Sequence, residues 1–274
     1  MAVASRPVTG TRGLKSGRRP AYQKFEGVYN RVLSLLVLVL LWQLVSMLIS
    51  ERYAPGPLLT LTALAETAAS GALTKHFVAT MVRMLSSFAL AMAVGVVLGV
   101  IMGLYRRGEQ FLDLGVMVML TIPGLCYVII SFMWLGLNDR AAVLAIAWTT
   151  FPVITINLWQ GVKAIDQRLT DMASVFHASR WRRTVRIVIP QVFPYVMAAA
   201  RFALGVIWKV TVLVELLGRP DGVGYMLNHS FQMFQMANVF AWTLFFTFVM
   251  LSIELAVLKP LESRLFRWRP EIRA

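Results

Sequence analysis

Six stretches of mostly apolar residues, 32–49, 78–104, 115–135, 141–158, 194–217 and 239–258, constrain this chain more than any other feature. Each is close to the ~20 residues that a helix needs to cross a hydrocarbon layer. Backbone amides and carbonyls in lipid find no water, so each such segment must satisfy its hydrogen bonds internally, and a helix does this. The expected fold class is therefore all-α, a polytopic membrane protein with six transmembrane helices. With 58% hydrophobic and 15% charged residues, 274 residues are too apolar for an ordinary soluble domain. Pro123-Gly124 interrupts the third stretch, where a kink or break replaces an ideal helix.

Charge orients these spans. Of 27 basic residues, 20 lie on one side: seven before the first span, Arg106 and Arg107, six in the loop from Lys163 to Arg186, and five from Lys259 onward. The other side holds Arg52, Lys75, Arg140 and Arg219. The positive-inside rule then places both termini and the loop 163–193 in the cytoplasm. A net charge of +14 raises the question of nucleic acid, but the basic residues alternate with spans and form no soluble face, so that partner is excluded. Residues 1–30 read as a basic disordered tail, 31–260 as the membrane domain and 261–274 as a second basic tail. Neither the length of the first basic region nor its flanks suit a secretory signal. Cys126 is the single cysteine and lies inside an apolar run.

Gly95, Gly99 and Gly103 repeat every four residues on the second span. That spacing suits close helix packing, either within one chain or between two. Ionisable groups within spans cost roughly 2.5–3.5 kcal/mol at a helix centre, so each needs a reason. Lys209, beside Trp208, lies near the middle of the fifth span. It either faces the path of an anionic substrate or pairs, or snorkels, for structural reasons. Glu215 is a poor partner within that helix, since six residues separate the two by about 120° and ~9 Å. Arg83 and Arg201 read as helix anchors, Glu254 as an interfacial charge, and Glu215 as a gate, a docking contact or a loop brace. Thr121 and Asn157 join Lys209, Trp208 and Glu215 as candidates for a substrate path, along with Gln160 and Thr211.

Catalysis finds little support. His76, His177 and His229 are far apart in sequence, no H-E-x-x-H occurs, and no G-x-x-x-x-G-K-[ST] loop could hold a nucleotide. No metal or cofactor is expected. A self-sufficient carrier would ordinarily show half-to-half symmetry, which is not visible here.

The cytoplasmic stretch 171–190, DMASVFHASRWRRTVRIVIP, is short, basic and amphipathic. Thr170 is a fair N-cap with Asp171 in the first turn, and Met172, Val175 and Phe176 fall on one helical stripe. So short a helix needs a partner groove or a bilayer surface to hold it. Its spacing resembles the loop Glu-Ala-Ala-x3-Gly-x9-Ile-x-Leu-Pro of ABC importer permeases. Asp171 and Ala173 take the acidic and second alanine places, with Ile187, Ile189 and Pro190 in register. Met172 replaces the first alanine and His177 the glycine, so His177 either takes a left-handed conformation at a penalty or stays helical with the bend elsewhere. Ala178-Ser179-Arg180-Trp181, Arg201 to Gly205 with Trp208, Glu215 with Gly222-Val223-Gly224, and Arg83 extend the likeness over most of residues 55–265. Together they are similar to the nitrate, sulfonate and taurine branch of these permeases. The resemblance implies the type I importer permease fold in a bacterial inner membrane. It implies that Asp171, Met172, Ala173, Val175, Phe176, His177 and Arg180 couple to a separate ATP-binding subunit, present in two copies. A second permease subunit, most simply an identical one, and an extracytoplasmic solute-binding protein complete the assembly. The implied solute is a small anion, with a pyrimidine or flavin precursor as the alternative. The third to fifth spans are the expected lining.

Overall fold

The computed structural model describes residues 21–260. All regular structure among them is helical. The expected terminal tails therefore lie outside the described residues over 1–20 and 261–274. The chain divides into two compact units, one ending at Pro57 and one starting at Leu58.

The first unit is dominated by α1 (Ala21–Ile49), which begins well before the apolar run at Val32. Nearly all of its side chains from Val32 to Ile49 are exposed. The connection that follows folds back, with Trp42 Nε1 donating to the Pro55 carbonyl at 3.0 Å.

The second unit carries α2 (Pro57–Ala69), apart from its first residue, and α3 (Ala72–Leu104). It continues through α4 (Arg106–Thr121), α5 (Gly124–Leu135) and α6 (Asp139–Lys163) to α7 (Gln167–Val175) and α8 (Arg180–Arg183). A π-helical turn, Thr184–Val188, leads into α9 (Ile189–Gly218). Then come α10 (Val223–Gln232), α11 (Met236–Ile253) and a second π-helical turn, Glu254–Leu258. Among the described residues, α1, α3, α6, the stretch Arg180–Gly218 and Met236–Ala256 are long and apolar enough to cross a membrane. The pair α4 and α5 makes a sixth crossing if counted as one broken span.

The third span departs most from a simple rod. The axes of α4 and α5 differ by 98°. Proline clashes with a helical residue before it, and Ile122 is accordingly extended at φ −71°, ψ 124°. Pro123 follows at φ −56°, ψ 135°, so two extended residues in a row turn the chain. Tyr127 donates to the Met119 carbonyl at 2.7 Å and ties the two halves together.

At the centre lies α6, more deeply buried than any other span. It packs most extensively on α3, then on α9 and α5. The glycine stripe explains the first contact. A Cβ on Gly95 would sit 2.7 Å from Ile154 Cβ, one on Gly99 2.5 Å from Leu158 Cβ, and one on Gly103 against Val162. Both series rise by four, so α3 and α6 run parallel and in register. The stripe is thus used for packing within the chain. Gly161, on another face of α6, admits Tyr195 of α9, whose Cγ would lie 2.5 Å from an added Cβ. Ala142, Ala145, Ile146, Ile154, Leu158, Ala199, Ala203 and Ile207 fill the space between these helices.

Candidate functional site

Two constellations stand out at opposite ends of the second unit. One is the connection between α6 and α9. Asp166, and not Thr170, caps α7: its Oδ1 accepts from Arg168 N at 2.9 Å. The helix therefore starts earlier than expected, because an aspartate four residues upstream satisfies the first turn better than threonine. Asp171 falls in mid-helix and is exposed. The Asp166 amide donates to Gln191 Oε1 at 2.8 Å, which fixes the start of α7 to the start of α9.

The end of α7 is a Schellman motif. Ala178 N–H bonds the Ala173 carbonyl at 3.0 Å and His177 N–H the Ser174 carbonyl at 3.0 Å. The residue between them must be left-handed, and His177 has φ +50°. Ordinary helical geometry for His177 is thus overturned: the turn that glycine usually makes is kept, at the expense of a strained histidine. Ser179 then caps α8, accepting from Arg182 N at 3.3 Å. Ala173 is buried, whereas Met172, Val175, Phe176 and Trp181 are 51%, 73%, 77% and 77% exposed. The stretch from Met172 in α7 to Trp181 in α8 thus presents four large apolar groups outward, with Arg180, Arg182 and Arg183 beside them and no carboxylate paired to any among the described residues.

The second constellation surrounds Arg83, which is 3% exposed and not a surface anchor. Its Nε donates to Asp139 Oδ1 at 2.6 Å, Nη1 to Glu215 Oε1 at 2.8 Å, and Nη2 to Asp221 Oδ1. Glu215 is fully buried, and its Oε2 accepts from Thr80 Oγ1 at 2.9 Å and Gly224 N at 3.0 Å. Thr80 in turn accepts from Val223 N, and His76 Nδ1 accepts from Gly222 N at 3.1 Å. Gly222 has φ +108°, and a Cβ there would collide with the Glu215 carboxylate. Arg219 adds Nη2 at 3.2 Å from Asp139. The cluster therefore binds α3, the start of α6, the end of α9 and the first turn of α10. Carboxylate at a helix N-terminus is favoured, and here it holds the turn 219–224 against the span it follows. Of the alternatives for Glu215, loop bracing is what the geometry contains.

Sequence reasoning missed Asp139, Asp221 and Thr80 as members, and read Arg83 as an anchor. The usable signal was an arginine five residues inside an apolar span, which in lipid demands a carboxylate on another helix. Arg201 similarly meets Glu254 of the second π-helical turn at 2.6 Å.

The remaining candidates are dispersed. Thr121, Asn157 and Thr211 each donate to carbonyls of their own helices, of Val118, Val153 and Ile207. Lys209 is exposed on α9, its Nζ 5.6 Å from the Trp208 ring centre, and has no carboxylate partner among the described residues. Trp208 itself is half-buried against Phe246. No group of ligands suited to a metal ion occurs among the described residues.

Residues 95–258 match the family described as binding-protein-dependent transport system inner membrane component, more than half of the chain. A Bacillus subtilis (strain 168) permease protein named for aliphatic sulfonates transport is 27% identical, over 98% of this chain and 96% of that one. The taurine transport system permease protein of Escherichia coli (strain K12) is 26% identical over 88% and 90%. A bicarbonate transport system permease protein of Synechococcus elongatus is 26% identical over 82% and 87%. Among solved structures, a chain of the MetNI methionine ABC transporter in an inward-facing conformation superposes with a TM-score of 0.63 at 13% identity, covering 72% of this chain and 98% of that one.

Proposed function

The chain belongs to the family of binding-protein-dependent transport system inner membrane components, and from that premise we propose that it is the membrane-spanning subunit of an ATP-driven importer of small anions. The observation that carries this reading is the connection α7–α8. An exposed apolar face built from Met172, Val175, Phe176 and Trp181 is costly in water and gains stability in a groove of a soluble partner. Both ends of that face are fixed, by the Asp166–Gln191 bond on one side and the continuous stretch Arg180–Gly218 on the other. A push on the face is thus delivered to α9. The partner is a separate ATP-binding subunit, since this sequence has no phosphate-binding loop of its own.

One coupling face per chain suits a two-fold pair of permeases with two ATPases. The charge asymmetry supports an orientation with both termini and α7–α8 in the cytoplasm and the Arg83 cluster on the opposite side, where a solute-binding protein would deliver its cargo. Small oxyanions such as sulfonates, taurine or bicarbonate are the solutes favoured by the relatives' names. Lys209 supports the same class: an exposed ammonium without a carboxylate partner among the described residues, set within an apolar helix, attracts anions.

The test is co-purification of the tagged chain with the ATP-binding subunit, comparing wild type with Phe176→Glu and Val175→Glu. Retention of the ATPase by wild type and its loss from both variants is the expected result. Binding that ignores these substitutions would remove the basis for the coupling assignment.

A further inference from the structure

A cavity of about 680 Å³ lies between α3, the end of α5 and the start of α6. Its size falls within the range of small-ligand sites. Its walls and its rim differ in kind. Val82, Ser86 and Leu90 lie along one face of α3, and Val143 and Leu144 oppose them from α6. Two turns of α3 separate Val82 from Leu90, so this apolar wall runs about 12 Å along the helix. The rim at one end is charged, formed by Arg83, Asp139, Arg140 and Asp221.

The rim keeps unused capacity of each sign. Arg140 is exposed and has no ion pair among the described residues. Asp139 and Asp221 are 61% and 37% exposed and meet Arg83 and Arg219 through Oδ1, which leaves Oδ2 of each without an ion pair among the described residues. Around the rim, Arg83, Arg140 and Arg219 balance Asp139, Glu215 and Asp221, so there is no net field to concentrate a simple anion or cation. The complementary ligand carries both charges a few ångströms apart, on an apolar tail that lies along the helix.

We propose that this cavity is a binding site for an amine-bearing phospholipid, with one acyl chain against Val82, Leu90 and Leu144. The phosphate meets Arg140 and the ammonium meets the unpaired Oδ2 oxygens of Asp139 and Asp221. A hydrated solute would have to shed water against the apolar wall, whereas an acyl chain gains by the same contact. Because the rim belongs to the cluster that holds the turn 219–224, lipid occupancy and the set of that turn are linked.

The test is native mass spectrometry of the full chain in detergent, titrated with phosphatidylethanolamine, phosphatidylglycerol and diacylglycerol of the same acyl composition. Phosphatidylethanolamine should bind about tenfold more tightly than phosphatidylglycerol, the worth of one charge-assisted contact, and about a hundredfold more tightly than diacylglycerol, which lacks both the ammonium and the phosphate. Arg140→Ala should reduce phosphatidylethanolamine binding about tenfold, and Ser86→Trp, which fills the groove from an exposed position, should abolish it. Arg140 is exposed and has no ion pair among the described residues, so its variant tests the site even where Ser86→Trp fails to fold. Equal binding of the three lipids overturns the proposal, as does phosphatidylethanolamine binding indifferent to Arg140→Ala. A detergent-stable dimer that excludes lipid and loses its second copy with Ser86→Trp would assign the groove to that copy instead.

Discussion

Arg83→Met and Glu215→Met should behave unequally, because the two partners are unequally provided for. Glu215 is fully buried and has Arg83 as its one cationic partner among the described residues. Removing Arg83 strands a buried carboxylate, which costs about 3–5 kcal/mol. Asp139 and Asp221, which also lose Arg83, are partly exposed and keep Arg219 nearby, so they add little. Removing Glu215 leaves Arg83 still paired with those two aspartates. What is lost then is the acceptor for Gly224 N–H and the Thr80 hydroxyl, about 1–3 kcal/mol. In the double variant no carboxylate is stranded and only that unmet amide remains, so the cost should return to about 1–3 kcal/mol, well short of the sum. Thermal unfolding of the four proteins in one detergent reads this directly, at roughly 2–4 °C per kcal/mol for a chain of this size. Arg83→Met should fall by roughly 10 °C, and the double variant should melt close to Glu215→Met. Additive losses, or a Glu215→Met variant at least as damaged as Arg83→Met, would refute the account of the cluster.

Gly99→Leu should destabilise by about 1–3 kcal/mol or more through α3 and α6, whereas Gly205→Ala, with open space around it, should be neutral or raise stability by up to ~1 kcal/mol; melting temperatures separate the two. His177→Gly should raise stability by about 1 kcal/mol and retain the ATP-binding subunit, while His177→Val, β-branched in a left-handed site, should weaken that retention on an affinity column. Lys209→Gln should leave melting unchanged but lower uptake of a labelled anionic solute in proteoliposomes; unaltered uptake would remove Lys209 from the pathway.

Hydrophobic run length, the helical class, the break at Pro123 and the outward face of Met172, Val175 and Phe176 were legible from the residues. Each depends on local rules that act within one or two turns. The glycine stripe was legible as a packing surface, but the choice between a partner within the chain and one in another copy was not. It took Ile154, Leu158 and Val162 on a parallel helix to decide it. His177 illustrates a local conflict settled by hydrogen bonding: two amides of the Schellman turn, together with the cap at Ser179, outweigh the histidine's preference.

The Arg83 cluster is the part that only tertiary structure could assemble. Its charged members lie at positions 83, 139, 215, 219 and 221, on segments whose proximity no local pattern records. Sequence alone established only that ionisable groups inside apolar spans each need a reason, and it read Arg83 as an anchor. Which groups compensate them depends on how α3, α6 and α9 align in space, since a pair of charges interacts by distance and burial, not by separation along the chain.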